Sequence, residues 1–132
     1  MTRRASCCCG QLQVTCEGDP VRVGMCHCFA CQRRTGSVFG AQARFPRERV
    51  RIQGQTGKYV RVGDSGGSVD FYFCPVCAST VYWENQGMEG LVAIAVGCFA
   101  DPGFPAPSYS VYEVRSHSWA RSCTAGVLEH YD

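Results

Sequence analysis

Polar and apolar residues alternate with a period of two along much of the chain. QLQVTCEG, PVRVGMCH, RVRIQG and GKYVRVGD each put apolar side chains on one face and polar ones on the other. That alternation predicts half-buried β-strands. GSVDFYFC and STVYWEN flank a Cys-x-x-Cys turn and read as the arms of a hairpin. GLVAIAVGCF is a continuous apolar run with β-branched residues and glycine ends. It fits a buried central strand better than a helix. PSYSVYEV alternates again, and the DPGFPAP before it is too rich in Pro and Gly for anything but a loop. Helical signals are few: one turn over Cys31 to Thr35 and something short near Trp119. No repeat, low-complexity tail or linker interrupts the pattern. The expectation is one all-β domain over residues 1–132, made of several small twisted antiparallel sheets.

Composition agrees with this, since Val, Tyr and Phe are well supplied and glycines are spread throughout. The formal net charge of +2 argues against a dedicated nucleic-acid binder. Lys58 is the only lysine, and the other basic residues are arginines, the better forks for carboxylates and phosphates. No run is long enough to span a membrane. No apolar segment follows Arg3 and Arg4 as a secretory signal would require, so a cytoplasmic location is expected. In that reducing compartment, 11 cysteines, an odd number, point to ligands or reactive thiols rather than disulfides.

Seven cysteines form three close-spaced groups: Cys7-x-Cys9, Cys26-x-Cys28-x-x-Cys31 and Cys74-x-x-Cys77. Two-residue spacing lets a tight turn aim both sulfurs at one ion, and residues i and i+2 of a strand share a face. Seven ligands divide most simply as four and three. Cys7, Cys9, Cys74 and Cys77 then make a closed, zinc-ribbon-like structural site that supplies folding free energy. Cys26, Cys28 and Cys31 are left with a vacant fourth position, as catalytic zinc sites keep. Two alternatives stand beside the open site. Cys8, Cys16, Cys98, Cys123 or His27 would close it, or Cys28 and Cys31 are buried thiols without metal. Arg33 and Arg34 follow this group and are candidates to pair with a substrate carboxylate, or else to screen the thiolates. His27 is a candidate proton shuttle or a packed residue on the face opposite the ligands. Cys16, Trp83 and Trp119 are expected in the core, and Cys8 away from the ligands.

Five stretches together resemble the glutathione-dependent formaldehyde-activating enzyme family, which includes centromere protein V-like proteins. They are SCCCGQLQVTC, CHCFACQRRTGSVFGA, FYFCPVCASTVYWE, AVGCFADP and PSYSVYEVRSHSW, and they run from Ser6 to about Trp119. The resemblance implies a mainly β fold of coiled sheets similar to methionine sulfoxide reductase B and a Rab-binding chaperone. It implies two zinc ions: one structural, on Cys7, Cys9, Cys74 and Cys77, and one at an active site of Cys26, Cys28 and Cys31. It implies a carbon–sulfur lyase that joins glutathione, or another small thiol, to an aldehyde such as formaldehyde, or cleaves the S-hydroxymethyl adduct. The chain departs from the family at Ala78, where Gly is common, and at Ser110-Val111, where a His-Ile pair is frequent. Two rival classes remain: a non-catalytic zinc-stabilised thiol-binding or scaffold module, and a methionine sulfoxide reductase-like enzyme with Cys123 as nucleophile.

Overall fold

A computed structural model describes residues 1–63 and 66–132; Asp64, which ends the GKYVRVGD stretch, lies outside the described residues. The strands are β1 (Thr2–Ser6), β2 (Gln13–Glu17), β3 (Arg22–Cys26), β4 (Gly40–Pro46), β5 (Val50–Gln53) and β6 (Gly57–Val62). They continue with β7 (Ser68–Phe73), β8 (Thr80–Asn85), β9 (Leu91–Ala95), β10 (Tyr109–Val111) and β11 (Glu129–His130). One α-helix, α1 (Phe29–Thr35), follows β3, and short 3-10 turns lie at Arg47–Arg49, Val96–Phe99, Glu113–Arg115 and Ser118–Thr124.

The protein is mainly β, as the alternation predicts. The described strands gather into two sheets: one of three strands, ordered β1-β2-β5, and one of eight, ordered β11-β10-β3-β4-β9-β8-β7-β6. Most neighbours are antiparallel, but β10 runs parallel to both β3 and β11. β3 and β10 are far apart in sequence, so no tight hairpin dictates their direction. Two predicted strands are shorter than their apolar runs. GLVAIAVGCF leaves the sheet after Ala95 and winds into a 3-10 turn closed by Ala100, a left-handed residue (φ 48°). PSYSVYEV stops at Val111 because Tyr112 is also left-handed (φ 56°).

One face of the eight-stranded sheet packs on the three-stranded sheet. Leu12, Val14, Cys16 and Val50 meet Val23, Phe45, Tyr82, Val92 and Ile94 in this core. Fully buried side chains such as Phe45 and Leu12 each contribute about 2–3 kcal/mol. Cys16 is a core residue, as expected, and Trp83 belongs to a smaller buried cluster with Val69 and Ala93. Trp119 departs from expectation: it is 72% exposed, because its 3-10 turn buries only Ala120. The opposite face of the large sheet lines a cavity of about 630 Å³. β3 shows how one strand serves both sides: Val23 and Met25 are buried on one side, while Arg22 and Cys26 line the cavity on the other.

Candidate metal centres and their cavity

The first cysteine group lies in the turn between β1 and β2, not on a strand as the period-two reading has it. The sulfurs still converge, because the turn folds back on itself: Gly10 N–H donates to the Cys7 carbonyl (3.1 Å) and Cys7 N–H to that of Leu12 (3.0 Å). Cys74 and Cys77 come from the β7–β8 turn. The Sγ atoms of Cys7, Cys9, Cys74 and Cys77 all lie within 4.8 Å of one another. Cys7 and Cys9 are 3.6 Å apart and Cys9 and Cys74 3.7 Å. A tetrahedron with zinc–sulfur arms of about 2.3 Å has edges of about 3.8 Å, so the donor set fits such an ion.

The surroundings also suit thiolates. Leu12 N–H donates to the Cys7 sulfur (3.3 Å), and the Gln11 side-chain amide donates to that of Cys74 (3.0 Å). The Ser79 hydroxyl lies 3.3 Å from the Cys77 sulfur. Hydrogen bonding by Ser79 brings the Cys77 thiol down to about 5. Cys9 goes the other way, up to about 12: the Gln11 backbone works against the rise, but desolvation and its neighbouring sulfurs prevail. Four touching sulfurs cannot all ionise without a cation to share.

Cys26 ends β3 and Cys28 is the N-cap of α1, so these two also do not share a strand. They converge with Cys31 because the chain turns directly into the helix. The three Sγ atoms lie within 4.8 Å of one another, and no other Cys, His, Asp or Glu among the described residues joins them. Cys31 N–H donates to the Cys28 sulfur (3.3 Å). Hydrogen bonds from the Cys26 and Cys31 thiols, with that N–H and the Arg61 charge, bring Cys28 down to about 2. Cys26 is pushed up, chiefly by its hydrogen bond to Cys28 and then by Cys31 and burial. One thiolate serves two protonated neighbours, which is again the pattern of sulfurs sharing too little positive charge.

None of the expected closing ligands reaches this trio. Cys8 is exposed, Cys16 is in the core, Cys98 lies 3.7 Å from the Thr80 carbonyl, and Cys123 is exposed on the Ser118–Thr124 turn. His27 is fully buried, with Nε2 2.9 Å from the Ser110 hydroxyl, and burial lowers its pKa. Ser110 is thus the partner of the histidine between two cysteines. The Gln32 amide donates to the His27 carbonyl (2.9 Å) and to that of Arg115 (3.1 Å), fixing the backbone between Cys26 and Cys28.

The trio opens into the cavity. Arg34 lines it, with its guanidinium 4.3 Å from the centre of the Trp83 ring, whereas Arg33 is exposed and takes no part in the lining. Arg22, Arg44 and Arg61 also line it, and the motif reading does not single them out. One signal was available: Arg22 stands at i−4 from Cys26 in an alternating strand, hence on the same face.

Fold and site together define a mainly β, thiol-rich protein with two cysteine groups able to hold metal. The family described as glutathione-dependent formaldehyde-activating enzyme matches residues 2–115, and the chain belongs to that family. No curated protein matches the chain. Among solved structures, a Rhodobacter sphaeroides protein determined by structural genomics has a similar fold. It superposes with a TM-score of 0.59 at 15% identity, over 98% of this chain and 99% of that one. Among the described residues, no helix is long and apolar enough to cross a membrane.

Proposed function

We propose that the chain is a zinc-dependent carbon–sulfur lyase that joins glutathione, or a similar small thiol, to formaldehyde or another small aldehyde. The observation that carries this reading is the trio of Cys26, Cys28 and Cys31, which lacks a fourth protein ligand among the described residues and faces a cavity. Cys7, Cys9, Cys74 and Cys77 would hold a structural zinc, and the trio a second. Bound there, zinc would supply a Lewis acid that lowers the pKa of an incoming thiol.

The chain's own residues do the rest. Arg34 and Arg61 bring positive charge beside the sulfurs of Cys31 and Cys28. Trp83 and Phe71 form an apolar wall on which Arg34 rests. Held on its ring, that guanidinium is preorganised for an anionic substrate and for the oxygen of an aldehyde. In the forward reaction the thiol sulfur bonds to the carbonyl carbon, the carbon–oxygen π bond opens, and the thiol proton ends on the oxygen. An odd number of cysteines, seven of them grouped as ligand sets rather than disulfide pairs, supports a cytoplasmic setting.

Metal analysis beside steady-state kinetics tests this reading. Purified protein should carry about two zinc ions per chain and accelerate S-hydroxymethylglutathione formation above the spontaneous rate, with saturation. Cys28→Ser should lose one zinc and the activity while keeping the fold. Glutathione binding without acceleration would instead make the protein a thiol-binding module.

A further inference from the structure

We propose that Arg22 and Arg44 form an anion subsite at the end of the cavity remote from the cysteine trio, and that it takes the anionic group of the thiol substrate farthest from its sulfur. This rests on the reading of the cavity as a thiol site and specifies what kind of thiol enters it.

The register of β3 against β4 sets Arg22 directly opposite Arg44. Like charges facing one another across a strand pair are destabilising. Among the described residues, neither arginine has a carboxylate within ion-pairing distance; the ion pairs lie elsewhere, at Arg3–Asp19, Lys58–Asp70 and His130–Glu113. Arg44 is 9% exposed, and its guanidinium meets only a neutral oxygen, Asn85 Oδ1 at 3.0 Å. A charge this buried is normally matched by an opposite one. Buried Arg44 and the more exposed Arg22 beside it on the same cavity wall lack that match among the described residues, and an anionic ligand supplies it.

The arginines are also held in place. The Arg22 guanidinium lies 3.7 Å from the centre of the Tyr109 ring. That ring occupies the space above Gly24, where a Cβ would come within 2.0 Å of it. Gln42, two pairs along from Arg44 and opposite Gly24, donates to the Tyr109 hydroxyl (3.3 Å). The groups that would bind an anion are therefore fixed before it arrives, which limits the entropy lost on binding.

Arg22, Gly24 and Cys26 alternate on one face of β3. Four residues of strand separate the Arg22–Arg44 pair from Cys26 by about 13 Å. A thiol as short as cysteine cannot span that distance. A peptide-length thiol ending in a carboxylate can, as can one ending in a phosphate. Arg34 and Arg61, near the sulfurs, serve the reacting end.

Calorimetric titration of the zinc-loaded protein tests the subsite. The probes are glutathione, S-methylglutathione, which has no free thiol, and pyrophosphate as a bare anion. At least one of the last two should bind wild type with an affinity that falls as salt rises. Arg22→Gln and Arg44→Gln should each weaken it about 10-fold or more, and Arg44→Lys should recover part of the loss. The tighter of the two shows whether carboxylate or phosphate is preferred. Circular dichroism and zinc content, unchanged in the exposed Arg22→Gln variant, separate this from misfolding. If no probe binds, or both glutamine variants bind every probe within twofold of wild type, the subsite is wrong. Arginine-dependent binding without turnover would remove the lyase reading and leave the subsite standing. Turnover with arginine-independent binding would do the reverse.

Discussion

Ala78 has φ 68°, in the left-handed region, directly after Cys77. Its N–H donates to the Cys74 carbonyl (2.8 Å), closing the turn that aims both sulfurs at one point. The conformation explains why glycine suits this position: an L side chain there costs about 1–2 kcal/mol. Glycine would also give the unfolded chain more freedom, which offsets about 0.5–1 kcal/mol of the relief. Ala78→Gly should therefore stabilise the protein by up to about 1 kcal/mol without changing its zinc content. A thermal melt of the zinc-loaded variant checks this, and a fall in the midpoint would contradict it. The same residue scale explains how the two groups of thiols behave. Their ionisation is governed by contact with one another and with nearby N–H donors, so a Cys-x-x-Cys turn or a helix N-cap matters more than general burial.

Strands with a clean polar face were legible from the alternation, as β2, β3, β5 and β6 show, and β7 and β8 from the Cys-x-x-Cys turn they flank. β4 was not read as a strand, and it is the one that carries Arg44. It has Ala41, Ala43 and Phe45 on one face and Gly40, Gln42 and Arg44 on the other, and its alanines and glycine dilute the β signal. Local cysteine spacing likewise sufficed for the four-and-three division. The arginine-lined wall was not legible, because it is assembled through the register of β3, β4 and β6 with α1, and register is a long-range property. The C-terminal edge is another long-range element. β11 is held to β10 by two parallel residue pairs. Beside it, Nδ1 of His130 lies 2.7 Å from Glu113 and Nε2 lies 3.0 Å from the Val127 carbonyl. Both partners are acceptors, so this geometry requires the imidazolium. The Glu113 hydrogen bond raises the His130 pKa above 6.5. Desolvation pushes Glu113 up, but His130 and Ser110 outweigh it and bring its pKa below 4.5. The His130 contribution is full below about 6.5 and lost as pH rises through its raised pKa; the Glu113 contribution is present above about 4.5 and lost as pH falls through its lowered one. Docking of this edge should thus be tightest between these values and loosen by pH 8.5. Hydrogen exchange at the Tyr131 amide, which donates to the Ser110 carbonyl, reports it after correction for intrinsic rates. His130→Gln should remove the pH dependence; if it persists, the pair is not its source.

At the scale of the whole molecule, the two cysteine groups occupy different mechanical positions. Cys7 and Cys9 connect the three-stranded sheet to the β7–β8 turn of the large one, so a metal there crosslinks the two sheets across their shared core. Cys26, Cys28 and Cys31 connect only β3 to the adjoining α1, within 6 residues of chain, and open on the cavity. A metal bound by four thiolates offers no position to an attacking chelator, whereas one bound by three accepts a chelator donor directly. The first also carries folding free energy, since its ligands assemble only when the sheets do. On the proposed reading, with a zinc on each group, chelation should proceed in two stages. A mild chelator should remove about one zinc per chain and abolish turnover, with circular dichroism and thermal midpoint nearly unchanged. The second zinc should leave only under stronger chelation, together with hydrogen-exchange protection of β1 and β2. Simultaneous loss of both ions, or unfolding in the first stage, would mean that the trio also carries the fold. In that case the open position at Cys26, Cys28 and Cys31 would be a gap in a structural site rather than a place reserved for a substrate thiol.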